Sequence, residues 1–372
     1  MPLAEAELLI EGSNVSVLIN DKEMLQVSSL TYSQTINSAR SVSFTVSSLE
    51  ESLKFNIGDK IVVFIDRVPM NANSVVSSSY STGSNYTNAF HFEGIIRKFT
   101  PNPKGASAVA YDYISLLKTS TYVEYKEEEV IGRDLYTLIT DAANISQINT
   151  TDSIGGIGIA ATKDMNLTGF KTRKEFIDLC INNAVSLVSD STKYENPLNA
   201  VYWQYAIRYS NVFDLYKLDP DNVHNGPILE VSSDSNNVYS INPTIDTQRL
   251  VNSITVVNES INFSFTITDE SSASKYGINS KLVTTRLTER EKIETTAYEL
   301  LGRFNRPSLK YDITLSNKEA FNLGDYVKVK HTSLGDRLLP VQKITTEFTS
   351  GTTTLSLGER ELSVQELIKL VK

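Results

Sequence analysis

The chain has 372 residues, 40% of them hydrophobic and 21% charged, a balance that suits a folded protein and excludes a disordered one. Its length asks for roughly two to four cores rather than one. A net charge of −9 and an isoelectric point near 5.1 argue against a surface that grips nucleic acid or anionic lipid, though not against an acidic wall that nucleic acid passes.

Residues 1–10 carry acids where a secretory leader carries Lys or Arg, and their apolar run is short, so neither a leader nor a membrane span is expected. A single cysteine, Cys180, excludes an intramolecular disulfide framework and fits assembly in a reducing cytoplasm. Period-two alternation then predicts strands at 15–19, 42–46, 60–65, 90–96 and 108–113. Between the third and fourth, residues 71–88 form a Ser/Asn/Tyr/Gly stretch that reads as a long loop or arm. An apolar helical run follows at 114–117.

Around residues 132–144, Leu135, Leu138, Ile139 and Ala142 fall at helical spacing. Thr172-Arg-Lys-Glu175 is a capping box, opening a helix that carries Phe176, Leu179, Cys180 and Leu187 on one face. An aromatic strand at 202–209 belongs to a hairpin, and strands at 253–257 and 263–267 follow. Thr288-Glu-Arg-Glu291 opens another helix, running to about Phe304 and stopped by Pro307. Strands at 309–315, 326–330 and 353–357 lead to a last helix opened by Ser363-Val-Gln-Glu366.

Two turns far apart in the chain match: Phe55-Asn-Ile-Gly-Asp59 and Phe321-Asn-Leu-Gly-Asp325. Gly supplies the positive-φ position, Asn and Asp bond local backbone, and the Phe anchors the turn to a core. Thus Phe55, Asn56, Gly58 and Asp59, with Phe321, Asn322, Gly324 and Asp325, mark structure rather than chemistry. Their flanks align too. Phe44-Thr-Val46 matches Tyr311-Asp-Ile313, the strand at 60–64 matches that at 326–330, Phe92–Phe99 matches Val341–Phe348, and Ala108-Val-Ala-Tyr111 matches Thr354-Leu-Ser-Leu357. The same turn inside the same strand order indicates a duplicated unit.

Catalytic patterns are absent. His91, His224 and His331 lack metal or triad spacing, so each reads as a strand or loop residue. Gly156-Ile-Gly158-Ile-Ala-Ala161 fits a dinucleotide fingerprint, but no helix follows to receive a phosphate. Asp219-Pro-Asp-Asn222 lacks the later ligands of a calcium loop and reads as a turn. Glu127-Glu-Glu129 sits at a helix start, Cys180 reads as core, and Arg97, Lys98 and Lys104 form no aromatic-lined stripe. No catalytic residue, metal site or cofactor is expected.

The repeat, with an α+β block between its copies, resembles the baseplate hub family of tailed phages and contractile injection machines, which includes late control protein D. Local likenesses are Phe92-Glu-Gly-Ile-Ile96, Ala108-Val-Ala-Tyr-Asp-Tyr113 with Leu116 and Leu117, residues 245–256, Ser274-Lys-Tyr-Gly277, and Phe321 through Ile344. The resemblance implies a mainly β fold with α+β insertions: two related antiparallel β-barrel domains, a helix-containing middle domain and a small inserted domain. The boundaries read as 1–120, 121–222, 223–258 with 306–372, and 259–305. It further implies a non-enzymatic structural protein of the virion tail baseplate, assembled in the host cytoplasm. Three chains would form a homotrimer with pseudo-six-fold symmetry, adapting a six-fold tail tube to a three-fold spike around an axial channel. The implied partners are the tail tube protein, the central spike protein, other baseplate proteins and the tape-measure protein, without sequence-specific nucleic-acid binding or membrane insertion. Two other readings compete: a distal tail ring protein, which forms hexamers, and a carbohydrate-binding adhesin presenting Trp203, Tyr202 and Tyr205. A tail protein bearing a wall-degrading hydrolase is disfavoured, because no ligand set is present.

Overall fold

The computed structural model describes residues 8–10, 13–67, 89–119, 122–150, 157–184, 186–187, 200–208, 211–218, 229–233, 235, 237–285, 287–316, 321 and 323–358. The 71–88 stretch, the 219–222 turn, Gly156, His224, Asn322 and the helix expected from Ser363 lie outside them. In chain order the first unit contains β1 (Leu8–Ile10), β2 (Ser13–Ile19), β3 (Ser29–Thr35), β4 (Ser41–Val46), β5 (Lys60–Arg67), β6 (Ala89–Asn102) and β7 (Gly105–Tyr111). Then come α1 (Ile114–Thr119), α2 (Leu135–Ala143), α3 (Arg173–Asn183) and the hairpin β8 (Ala200–Arg208) and β9 (Val212–Leu218). The remainder is β10 (Leu229–Ser232), β11 (Val238–Asp246), β12 (Ser253–Asn258), β13 (Phe263–Thr268), β14 (Ser280–Thr284), α4 (Arg290–Phe304), β15 (Ser308–Ser316), β16 (Tyr326–Lys330), β17 (Arg337–Glu347) and β18 (Thr352–Gly358).

The fold is mainly β with helical insertions. One large sheet runs β1-β2-β5-β6-β7-β4-β3-β17-β18-β15-β11, with β16 beside β17 and β10 beside β16. The duplication is visible in this order. The first unit reads β3-β4-β7-β6-β5-β2, and the second reads β11-β15-β18-β17-β16-β10. The chain visits the equivalent strands in the same sequence in both. The small block at 247–307 replaces the five residues, 36–40, that join β3 to β4 in the first copy.

Three expectations are corrected. Neither unit closes into a barrel by strand pairing among the described residues; β3 keeps β4 on one side and pairs on the other with β17, fusing the two copies into one sheet. Pairing is also not wholly antiparallel, since β10 runs parallel to β16. Strand β12, expected in the second unit, pairs with β13 and β14 in a separate three-stranded sheet under α4.

Smaller differences concern helix ends. The helix opened by Thr172 stops at Asn183, so Leu187 sits on a short strand and not on its face. The Thr288 box does not form; α4 begins after Glu289, whose side chain makes no cap bond. The Thr172 box does form, with Thr172 Oγ1 accepting from the Glu175 amide at 3.2 Å and Glu175 accepting from the Thr172 amide at 2.7 Å.

Among the described residues, buried side chains fall into four clusters. Phe44, Phe55 and Phe92 anchor the first unit, and Tyr311, Ile313 and Leu355 the second. Phe176, Cys180, Tyr205 and Phe213 lie between α2, α3 and the β8–β9 hairpin. Ile254, Val283, Ile293 and Leu300 form the small core under α4. Burial of each such aromatic or branched side chain contributes about 1.5–3 kcal/mol.

Candidate functional site

The paired turns are superimposable in their bonding. Gly58 takes φ +97°, and its amide donates to the Ile96 carbonyl at 2.9 Å, while the Ile96 amide donates to the Asp59 carbonyl at 2.9 Å. In the second copy Gly324 takes φ +84°, its amide donates to Val341 at 2.9 Å, and Val341 donates to Asp325 at 2.8 Å. Each turn therefore grips its neighbouring strand just before a β-bulge, between Ile96 and Lys98 in β6 and between Val341 and Lys343 in β17. Asp59 also accepts from the Asn56 amide at 2.6 Å, and Phe55 is buried against Phe44 and Phe99 at ring distances of 5.2 and 5.4 Å. Phe321 packs on the second core.

These fixed points set the register of the repeat. Ile96 faces Ala110, which faces Val42; Val341 faces Leu357, which faces Tyr311. Val42 is thus equivalent to Tyr311, and Phe44 to Ile313. The sequence alignment of Phe44 with Tyr311 is two residues out, that of Phe92 with Val341 four, and that of Ala108 with Thr354 one.

The two copies meet where β3 lies antiparallel to β17, from Thr31 opposite Glu347 to Thr35 opposite Lys343. Ile36 donates to the Gln342 carbonyl at 3.1 Å and Phe348 to the Leu30 carbonyl at 3.0 Å, so alternate residues of β3, Tyr32 and Gln34 among them, face β17 through their backbone. Ser33 and Thr345 bring their hydroxyls to 3.4 Å across the seam. The middle block locks the same corner. Tyr205 donates its amide to Asn37 Oδ1 at 2.9 Å, and its hydroxyl donates to Asp178 Oδ1 at 2.8 Å while lying 3.1 Å from the Asn37 carbonyl.

A buried ion pair fastens that corner to α1. Arg40 Nε donates to Asp112 Oδ2 at 2.9 Å, with both side chains almost fully enclosed, and Asp112 Oδ1 accepts from the Ile114 amide at 3.1 Å. Burial opposes the Arg40 charge, but Tyr32 and Asp112 outweigh it and hold its pKa above the ordinary value. For Asp112, burial pushes the carboxyl up against the pull of the guanidinium. Nearby, Lys60 bridges Asp21 and Glu93 at 3.0 and 3.1 Å. Burial acts to raise the Glu93 pKa, yet hydrogen bonds from Tyr113 and Lys60 keep it below the usual carboxylate value. Both ion pairs are thus tied to neighbouring residues of the first unit.

Reaction chemistry finds little footing. Among the described residues no group of three His, Cys, Asp or Glu is placed to hold a metal ion. The amides of Ile157 and Gly158, part of the apparent dinucleotide fingerprint, already bond the Asp134 carboxylate at 3.1 and 2.7 Å, and Asp134 caps α2. His331 Nδ1 accepts from the Ser333 amide at 3.3 Å within its own turn. Cys180 is buried in the middle core. A shallow depression of about 150 Å³ over β3, β4, β6 and β7 is lined by Ser and Thr hydroxyls, Lys98 and the apolar Phe44, Ala108 and Val109, without an acid or histidine. Trp203 and Tyr205 are 8% and 0% exposed, so two of the three aromatics on which the adhesin reading rests are buried. No described helix is long and apolar enough to cross a membrane. Sequence reasoning missed Arg40, Asp112 and the β3–β17 seam. The pair has no local signal, while the alternation of Leu30 and Tyr32 was present but diluted by Ser, Thr and Gln.

No family model matches the chain, and no curated protein sequence is detectably similar to it. Solved structures are. A tail protein from Neisseria meningitidis MC58 shares the fold with a TM-score of 0.56 at 13% identity, over 96% of this chain and 99% of that one. The 43 kDa tail protein of prophage MuSo2 from Shewanella oneidensis gives 0.57 at 10% identity, over 93% and 98%. A prophage tail protein from Listeria monocytogenes EGD-e gives 0.52 at 14% identity, over 96% and 98%. Over 93–96% of its length the chain therefore shares the fold of these tail proteins.

Proposed function

We propose that this chain, sharing its fold with prophage tail proteins, is a structural tail or baseplate hub that acts by assembly rather than catalysis. The observation that carries this reading is the pair of equivalent units joined head to tail in one sheet. Three such chains present six similar surfaces on one side and three on the other, which is what joins a six-fold tube to a three-fold spike. On this reading the chain is a homotrimer in the virion tail, assembled in the host cytoplasm. It would contact tail tube, central spike, other baseplate proteins and the tape-measure protein. The net charge of −9 suits a channel wall along which DNA passes without adhering.

Native mass spectrometry of the purified chain with its tube and spike partners, followed by cryo-EM, tests the proposal. Three copies around an axial channel are expected. Six copies indicate a distal tail ring, and a ring without a channel overturns the hub reading.

A further inference from the structure

Each unit has one donor edge and one acceptor edge, and only one matched pair is used inside the chain. The donor edge is β3 in the first unit and its equivalent β11 in the second. The acceptor edge is the outer side of β17 beyond its bulge and, equivalently, of β6 beyond Ile96. β3 pairs with β17. No described strand pairs with the outer side of β11 or with the outer side of β6 past Ile95. Heterologous edges of this kind match between copies of one chain.

The register of the unused pair follows from the repeat. Counting from Ile96 and Val341, Lys98 is equivalent to Lys343, Thr100 to Thr345 and Pro101 to Thr346. Leu30 faces Phe44 and Ile241 faces Ile313, so Tyr32 is equivalent to Pro243, Ser33 to Thr244 and Thr35 to Asp246. Transferring the internal seam places Lys98 opposite Asp246 and Phe99 opposite Ile245. It places Thr100 opposite Thr244, in the position where Ser33 and Thr345 share a hydroxyl contact. An ion pair, an apolar pair and a hydroxyl pair line up along one ladder. Ile245 is 56% exposed and Ile57, on the turn bonded to Ile96, is 63% exposed, so both edges carry uncovered apolar surface.

The centre of the ladder differs. Thr346 faces Tyr32 at a position where both residues exchange backbone bonds, but there the unused pair sets Pro101 against Pro243. Neither proline has an N–H to give, and both face the open side, the place that sheet edges reserve for proline.

We propose that the outer edge of β11 in one copy of this chain pairs with the outer edge of the β6 tip in a second copy, in the register of the internal seam. Pro101 opposite Pro243 deprives this second seam of the central backbone bonds that hold the first. The junction therefore forms only weakly between free chains and is completed when partners hold the copies together. The proposal deepens the ring reading and rests on it only for the number of copies.

The test is a cysteine pair, Thr100→Cys with Thr244→Cys, oxidised under native conditions in the full chain and in the chain carrying P101T and P243T as well. The internal control is Ser33→Cys with Thr345→Cys, which forms its bridge within one chain. A disulfide between chains at 100 and 244 is expected, formed sparsely by the isolated protein and more strongly in the assembled ring. Two restored backbone bonds in the proline-free variant should raise association about tenfold or more. Lys98→Asp should weaken the cross-link, and adding Asp246→Lys should restore it. No interchain bridge in either background overturns the junction, and a three-copy ring found alongside that result leaves the hub reading standing. A bridge in an assembly of another size keeps the junction and overturns the trimer. Equal cross-linking with and without the prolines overturns their role as a brake.

Discussion

Removing the Asp112 carboxylate is the sharpest probe of how the first unit is tied to α1. Asp112→Ala leaves the Arg40 guanidinium, itself 3% exposed, without the carboxylate 2.9 Å away, and strips the Ile114 amide of its cap. Breaking a buried pair on one side costs about 3–5 kcal/mol, because the remaining charge stays desolvated. For a domain of this size that lowers the melting temperature by on the order of 10 °C. Trp203, the single tryptophan and buried in the adjoining core, reports the transition by fluorescence. Replacing both partners, Arg40→Met with Asp112→Leu, should recover most of the loss, since an apolar pair of similar volume has no charge to desolvate. Added salt should change neither result much, because screening acts weakly on enclosed charges. A shift of under about 2 °C for Asp112→Ala, or a double variant no better than the single, would refute the argument.

Two further outcomes follow from the same cores. Gly58→Val and Gly324→Val each force a β-branched residue to φ +97° or +84°, costing on the order of 1–2 kcal/mol. Because the turns belong to different cores, denaturant titration of the double variant should show nearly additive losses. The Cys180 thiol is pushed up by burial from 9.0 to about 12, so thiol reagents at pH 8 should react only after unfolding. The folded state holds that proton longer than the unfolded chain does. Its contribution to stability is therefore complete below pH 9 and is lost as pH rises toward 12, and Cys180→Ser should flatten that part of the stability profile.

What could be read in advance depended on how local its cause was. The Asn-x-Gly-Asp turns were legible because only glycine sits comfortably at positive φ, and the Thr172 box because its two bonds span three residues. The two-residue error between β4 and β15 has an equally plain origin. Side chains in a strand repeat every two residues, so a shift of two keeps every apolar residue facing inward and leaves no trace in the pattern. Alternation likewise marks 253–257 as a strand without saying which sheet receives it. The seam between β3 and β17 joins residues some three hundred positions apart in the chain, so its register rests on tertiary packing.

The place of the small inserted block shows why the duplicated sheet survives being interrupted. Asp246 faces Ser308 across β11 and β15, so the chain leaves and re-enters the second unit at one hairpin end. An insertion there adds residues beyond the last ladder bond and changes the register of none before it. Its buried core, Ile254, Val256, Val283, Ile293, Ala297, Leu300 and Leu301, shares no member with that of the second unit. Replacing residues 247–307 with the five-residue sequence of 36–40, Ile-Asn-Ser-Ala-Arg, should therefore leave the β11–β15 ladder intact, since opposed antiparallel residues lie about 5 Å apart and a short turn spans them. Circular dichroism of the shortened chain should keep the strand signal of the large sheet and lose only the contributions of the removed block, β12, β13, β14 and α4 included. A collapsed strand signal or a lost cooperative melt would mean that the block supports the second unit rather than hanging from its hairpin.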